Sequence, residues 1–174
     1  MLSIIRLGHR IGRDARLSTH CGLAARALGA DEIIYSGEYE KKMINNIKDV
    51  TNRWGGPFKA SYQKNWRKII KQYREKRFII IHMSMYGLPI KKQISKIRKN
   101  KNILVIVGSE KVPAEVYHLA DYNIAVTNQP HSEVAALSIF LHEYFKSKEL
   151  DKKFKKAKIR IVPQPCGKKV IENR

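Results

Sequence analysis

The sequence predicts an α/β fold: a mainly parallel sheet with helices on both faces. Three observations lead there. Short apolar runs such as Ile-Leu-Val-Ile-Val at 103–107 do not alternate with polar residues, which marks strands buried on both faces. Amphipathic helical segments separate these runs. Several of the runs end abruptly in polar turns, and in open parallel sheets ligands bind where loops leave the carboxyl ends of the strands. A length of 174 residues fits a single domain spanning 1–174, with a basic C-terminal extension at about 146–174.

The elements follow in order. Residues 2–7 read as a first strand, and 8–16 as a polar loop carrying Arg10, Arg13, Asp14 and Arg16. A helix comes next, with Ser18 or Thr19 as N-cap, Leu23, Arg26 and Ala27 along one side, and Gly29 as its stop. Residues 31–35 form a second strand. The segment 39–53 is a helix with Met43, Ile44, Ile47 and Val50 on one face. Trp54-Gly-Gly-Pro57 breaks the pattern before a short edge strand at 58–60. In 65–76, Trp66, Ile69, Ile70 and Tyr73 fall at i, i+3, i+4 and i+7 of an amphipathic helix whose other face is basic. A buried strand at 78–82 runs into the loop 83–87, and a basic helix at 89–99 leads to the strand 103–107. Residues 112–120 make a short helix with Pro113 at its start. A strand at 122–126 precedes the helix 133–145, capped by Ser132 or His131. In the tail, 157–162 is a strand candidate, while Leu150 and Phe154 give the lysine-rich stretch 146–158 some packing.

Charge points to a partner. The chain has 35 Lys+Arg against 15 Asp+Glu, a formal net charge of +20. That excess predicts a polyanion, nucleic acid before an anionic membrane surface. Three basic runs carry much of it: seven basic residues in 64–77, six in 91–101 and eight in 146–160. No stretch approaches the roughly 20 apolar residues of a membrane span. The N-terminal apolar run reads as a strand rather than a signal peptide. Cys21 and Cys166 are far apart and have no metal-site spacing, which suits a reducing, cytoplasmic setting.

Several chemistries lack their signatures. There is no G-x-x-x-x-G-K-S/T for a P-loop NTPase and no G-x-G-x-x-G after the first strand. There is no H-E-x-x-H or Cys/His cluster for a metal, and no G-x-S-x-G elbow for a serine hydrolase. What remains are the polar loops at strand ends: 83–87, 108–112 and 126–133. Gly108 permits close backbone approach to a ligand. The helix beginning near Ser132 turns free N–H groups toward its loop, where Asn128, Gln129, His131 and Ser132 add donors and acceptors. The N-terminal stretch from His9 to His20 supplies arginines suited to phosphate, and His20 as a base near neutral pH.

Longer motifs then carry a resemblance. Arg6-Leu-Gly-His-Arg10 with Arg13, Asp14, Arg16, Thr19 and His20, then Trp54-Gly-Gly-Pro-Phe58, His82-Met-Ser-Met-Tyr-Gly87, Val107-Gly-Ser-Glu-Lys-Val-Pro113 and Asn128-Gln-Pro-His-Ser-Glu-Val-Ala-Ala136 resemble the archaeal tRNA (cytidine-56-2'-O)-methyltransferases. These belong to the SPOUT superfamily. The resemblance implies a SPOUT-type fold with a C-terminal trefoil knot, a homodimer, tRNA as partner, and S-adenosylmethionine as methyl donor with no metal and no membrane. It implies cofactor contacts from Met83, from Gly108, Ser109, Glu110, Lys111 and Val112, and from Val126, Thr127, Asn128, Gln129, Pro130, His131, Ser132 and Glu133. Met83-Ser84 stands where the family usually has Leu-Thr, a swap that conserves volume at the first position. An arginine of the first motif would position the ribose hydroxyl: Arg16 first, then Arg13, with His20 beside them. Two alternatives stay open: a SPOUT enzyme with another RNA target, and a non-catalytic basic RNA-binding protein.

Overall fold

Side chains along the central strands sort by parity, which explains why their sequences do not alternate. On β1 (Leu2–His9), Leu2 and Ile4 face one core while Ile5 and Leu7 face another. On β5 (Ile103–Val107), Ile103, Val105 and Val107 join the first core, and Leu104 and Ile106 the second. Both faces are covered, so every position of these strands is apolar or privately paired. The computed structural model describes residues 1–108 and 111–172.

Among the described residues, the larger sheet has six strands in the order β3-β2-β1-β5-β4-β6, paired in parallel throughout. The other strands are β2 (Glu32–Gly37), β3 (Lys59–Tyr62), β4 (Ile79–Pro89) and β6 (Tyr122–Ala125). The chain winds outward from β1 to β3, then returns to build β4, β5 and β6 on the other side of β1. The reversal opens a crevice at the carboxyl ends of β1 and its neighbour β5.

Helices cover both faces, as predicted. The first core receives α1 (Ile11–Ala27) through Cys21 and Ala25, and α2 (Lys41–Trp54) through Met43, Ile44 and Ile47. It also takes α4 (Ile90–Ile97) through its three isoleucines, and α6 (Glu133–Phe145) through Ala136, Leu137, Phe140 and Leu141. The second core takes α3 (Trp66–Glu75) through Ile69, Ile70 and Tyr73, and α5 (Ala114–Leu119) through Val116. The α6 bounds match the sequence reading, and Ser132 is its N-cap, accepting a hydrogen bond from the Ala135 N–H at 3.2 Å. Gly29, with φ at +93°, lies just past the end of α1.

Four expectations need correction. Residues 8–16 are not a loop: β1 runs to His9, and α1 begins at Ile11 with Arg10 at its N-cap. Ser18 therefore lies mid-helix and is buried, not a cap. The reason is local pairing, since the Asp14 carboxylate accepts from the Arg10 backbone N–H and grips its guanidinium, stabilising the first turn. β4 does not end at His82. Met83 and Leu88 both pair with Ile124 of β6, so residues 84–87 bow out as an arch and the strand resumes beyond them. The tail holds more than one strand: β7 (Ile159–Val162) and β8 (Lys169–Glu172) form an antiparallel hairpin, preceded by a 3-10 turn at Lys148–Asp151. Within that tail Phe154 packs but Leu150 is exposed.

Candidate functional site

A cavity of about 430 Å³ opens where the carboxyl ends of β4 and β5 meet the starts of α1 and α6. Each wall follows from an element already described. The β4 arch supplies Met83, Ser84, Met85 and Tyr86, with His82 beneath. The end of β5 supplies Val107 and Gly108, with Val112 beyond, and α5 supplies Tyr117. The start of α6 brings His131, Ser132, Glu133 and Ala136, and the start of α1 brings Arg10, Asp14 and Leu17. A Cβ on Gly108 would lie 2.0 Å from Cγ2 of Val112, so the Val112 side chain can sit this close to position 108 only because that residue is glycine.

Predicted cofactor residues divide into four groups, of which one, Lys111, lies not here but on a neighbouring cavity. Met83, Gly108, Val112, His131, Ser132 and Glu133 come together on the cavity wall. Asn128 does not line it but holds its roof, because its side-chain amide donates to the carbonyls of Met85 at 2.6 Å and Gly87 at 3.3 Å. The Gln129 N–H meets the Thr127 hydroxyl, and the Gln129 carbonyl accepts from Nδ1 of His131, so the 126–133 loop is braced internally. Val126 packs against the first core, and Pro130 precedes the cavity-lining His131. Ser109 and Glu110 lie outside the described residues.

A second cavity, of about 520 Å³, lies next to the first at the ends of β1 and β2. Gly8, His9, Arg10, Arg13, Gly37, Glu38 and Lys111 line it. Arg10 lines both cavities and so stands at their junction. Arg16 and His20 lie farther along α1, exposed, and line neither cavity. Sequence reasoning passed over Leu17, His82 and Tyr117 as site residues, and it named Arg10 and Asp14 within the first-loop candidate without singling either out. The signal for Arg10 and Asp14 was present: an i, i+4 charge pair just after a strand.

Electrostatics mark the first cavity. Arg10 grips the Asp14 carboxylate from Nε at 2.9 Å and Nη2 at 3.1 Å, and this pairing holds the nearly buried carboxyl below the usual carboxylate range. Behind it lies Arg6, fully buried, which donates to the Leu7 carbonyl at 2.6 Å and reaches Oε1 of Glu133 at 3.5 Å. Two carboxylates, each backed by an arginine, thus face a space whose apolar wall residues include Leu17, Met83, Met85, Val107 and Val112, with Ser84, Tyr86, Tyr117, His131 and Ser132 among the polar ones. Burial next to this cluster pushes the Cys21 thiol up to about 12, leaving it inert.

His82 is fixed in one tautomer. The Asn123 amide donates to the Tyr117 carbonyl at 2.8 Å, so its Oδ1 faces His82 Nδ1 at 2.9 Å and accepts. Nδ1 therefore carries the proton and Nε2 the lone pair. The ring meets Tyr117 edge to face at 4.5 Å. Burial lowers its basicity, and Nε2 has no partner among the described residues. His82 thus lies beneath the cavity as a neutral ring whose Nε2 lone pair is closed off from solvent.

His9 also stands between a hydroxyl and a carboxylate, with Ser18 Oγ at 2.9 Å from Nδ1 and Glu40 Oε2 at 3.0 Å from Nε2. The set resembles a nucleophile–base–acid arrangement, but Ser18 is fully buried and no substrate atom reaches it. Its work is structural: it ties the end of β1 to α1 and to the β2–α2 loop.

Comparison with known proteins decides the family. A family model described as "tRNA ribose 2'-O-methyltransferase, aTrm56" matches residues 54–171. A relative from Methanocaldococcus jannaschii, named tRNA (cytidine(56)-2'-O)-methyltransferase, is 51% identical over 177 residues, covering 100% of this chain and 98% of its own length. The chain belongs to this tRNA ribose 2'-O-methyltransferase family. A second relative of the same name, from Thermococcus kodakarensis, is 48% identical across 99% of this chain and 97% of its own. Solved structures agree on the fold. The TrmH/SpoU tRNA modifying enzyme of A. aeolicus superposes with a TM-score of 0.63 at 16% identity, covering 86% of this chain and 76% of its own. The SpoU methyltransferase AviRb of Streptomyces viridochromogenes, solved in complex with the cofactor AdoMet, gives 0.62 at 13% identity, covering 85% and 57%.

Proposed function

We propose that this chain transfers the methyl group of S-adenosylmethionine to the ribose 2'-hydroxyl of cytidine 56 in tRNA. The observation that carries the reading is the meeting, in one cavity at the sheet's reversal, of the three strand-end loops that hold the family's motifs. The cavity suits the donor. It has apolar walls for a flat ring and a thioether-like chain, and the Asp14 and Glu133 carboxylates for a cationic centre. S-adenosylmethionine supplies an electrophilic methyl group on a sulfonium. With the donor bound, methyl transfer would break its carbon–sulfur bond as the oxygen–carbon bond forms, releasing S-adenosylhomocysteine and passing the hydroxyl proton to solvent water.

The residues of this chain then position and polarise. Met83, Gly108, Val112, Ser132 and Glu133 hold the donor, with Lys111 and residues 126–131 shaping the loops around it. Arg10, at the junction with the second cavity, orients the ribose and its neighbouring phosphate, and Arg13 and Lys111 complete a basic cleft there. A guanidinium gives up its proton with difficulty, so these arginines align the hydroxyl rather than deprotonate it. Arg16 and His20 continue the exposed face of α1 beyond Arg13 and meet RNA laid along that helix, or a second copy of the chain. A homodimer, a knotted C-terminal half, one domain over 1–174 and a cytoplasmic setting belong to the same proposal. The test uses radiolabelled S-adenosylmethionine and tRNA with cytidine or another base at position 56. Label is expected only in the cytidine form, on its ribose. Labelling indifferent to the base at 56, or none at all, overturns the reading.

A further inference from the structure

One motif has no place in either cavity. Trp54-Gly-Gly-Pro-Phe58 lies between α2 and β3, at the amino end of the sheet, whereas the cavities sit at the carboxyl ends. With about 3.3 Å of rise per residue, the six residues of β2 separate the two ends by roughly 20 Å.

The motif is a seat for the lysine-rich tail. The Gly56 N–H donates to the Lys155 carbonyl at 2.9 Å, and the Lys158 N–H to the Arg53 carbonyl at 2.9 Å. Gly55 and Gly56 both have positive φ. A Cβ on Gly55 would lie 2.5 Å from the Lys155 carbonyl oxygen, and one on Gly56 would lie 2.6 Å from the Phe154 ring. Only a Gly-Gly turn lets the tail lie this close. Arg26 donates to the Gly55 carbonyl at 2.7 Å and stacks over the Phe154 ring at 4.7 Å, fastening the same strap to α1. Lys152 adds a bond to the Gly29 carbonyl at 3.2 Å.

The strap carries its cations at a cost. Lys156 is held at φ +59°, a conformation that side-chain-bearing residues avoid. Lys153, Lys155 and Lys156 are exposed around a cavity of about 450 Å³, and no carboxylate pairs with them among the described residues. The other basic runs are partly neutralised: Arg67 pairs with Glu115 and Arg74 with Asp121 on α3, and Arg98 beyond α4 pairs with Glu143. Like charges fixed together and left unpaired favour an anion with several charges.

We propose that the 152–156 strap, seated on the Gly55-Gly56 turn, is a second RNA contact that grips the phosphate backbone of the tRNA substrate away from the methyl-transfer cavity. This rests on the proposed function for the identity of the RNA. Phosphate contacts position a nucleic acid without reading its sequence. The strap thus supplies affinity while the far end supplies chemistry.

The test replaces Lys153, Lys155 and Lys156 together by Gln in the full chain, which keeps side-chain length and the backbone demand at position 156. Binding to tRNA is measured across salt concentrations, beside steady-state methylation and calorimetry with S-adenosylmethionine. The expected result is a rise in tRNA Kd and KM of about tenfold or more, and a salt slope shallower by about two to three, with kcat and donor affinity unchanged. A comparison variant at the paired cations Arg67 and Arg74, also to Gln, loses less per charge removed. Unchanged tRNA affinity and slope, or a loss per charge no greater than the comparison variant's, overturns the proposal. Wild-type protein that binds tRNA but transfers no methyl group would sink the proposed function while leaving the strap's RNA contact to be judged by the slope.

Discussion

Gly87 closes the arch over the cavity, and Gly87→Ala tests whether that arch shapes the donor site. The added Cβ would lie 2.5 Å from the Asn123 carbonyl carbon and 2.6 Å from both the Asn123 oxygen and the Ile124 nitrogen. All three are backbone atoms of β6, so no side chain can swing aside. Ordinary contact begins at 3.4 Å, so the arch must lift by nearly 1 Å. Overpacking of this kind costs about 1–3 kcal/mol. For a chain of this size that lowers Tm by roughly 2–12 °C, taking about 2–4 °C per kcal/mol. The displacement falls on residues 83–86, which form one wall of the cavity, and on the carbonyls that Asn128 holds. A misplacement near 1 Å costs on the order of 10²-fold in turnover. Calorimetry with S-adenosylmethionine, thermal melting and single-turnover methylation read the three effects. Gly12→Ala is the control: a Cβ there meets nothing within 4 Å, and helix propensity predicts neutrality or a gain of up to about 1 kcal/mol. Wild-type Tm and wild-type donor affinity in Gly87→Ala would refute the idea that this close approach sets the cavity.

Three further predictions concern titration and the arginines. Burial lowers the pKa of His82 below its ordinary 6.5, so the folded state binds fewer protons than the unfolded state on the acid side. The His82 contribution to stability is therefore flat above about pH 6.5 and falls as the pH drops below it. His82→Gln should flatten that slope in denaturant melts at pH 5–8, and an unchanged slope would show that His82 is not its source. Arg10→Ala should lower kcat on the order of 10²-fold, about 2.7 kcal/mol in the barrier, because it empties the junction of the two cavities. Arg16→Ala should chiefly raise KM for tRNA and leave kcat within about threefold. Full loss in Arg16→Ala with an active Arg10→Ala would reverse that assignment.

Elements whose signals are local are legible in the chain. The β5 run fixed a doubly buried strand, Ser132 and the apolar spacing fixed α6, and Gly29 fixed the end of α1, because burial patterns and caps act within a few residues. The sequence also placed a polar loop at each of three strand ends, and motif resemblance gave the family. Tertiary structure decided which of those residues meet. The start of α1 depends on Asp14 folding back to Arg10, and His9 on Glu40 from the β2–α2 loop, so Arg10 rather than Arg16 reaches the cavity. The arch in β4 exists only because Met83 and Leu88 share one partner on β6. The seat under the lysine strap needs Gly55-Gly56 and residue 155 brought together from a hundred positions apart. Periodicity and capping carry no information about such pairings, which are set by strand order and by close approach of backbones distant in the chain.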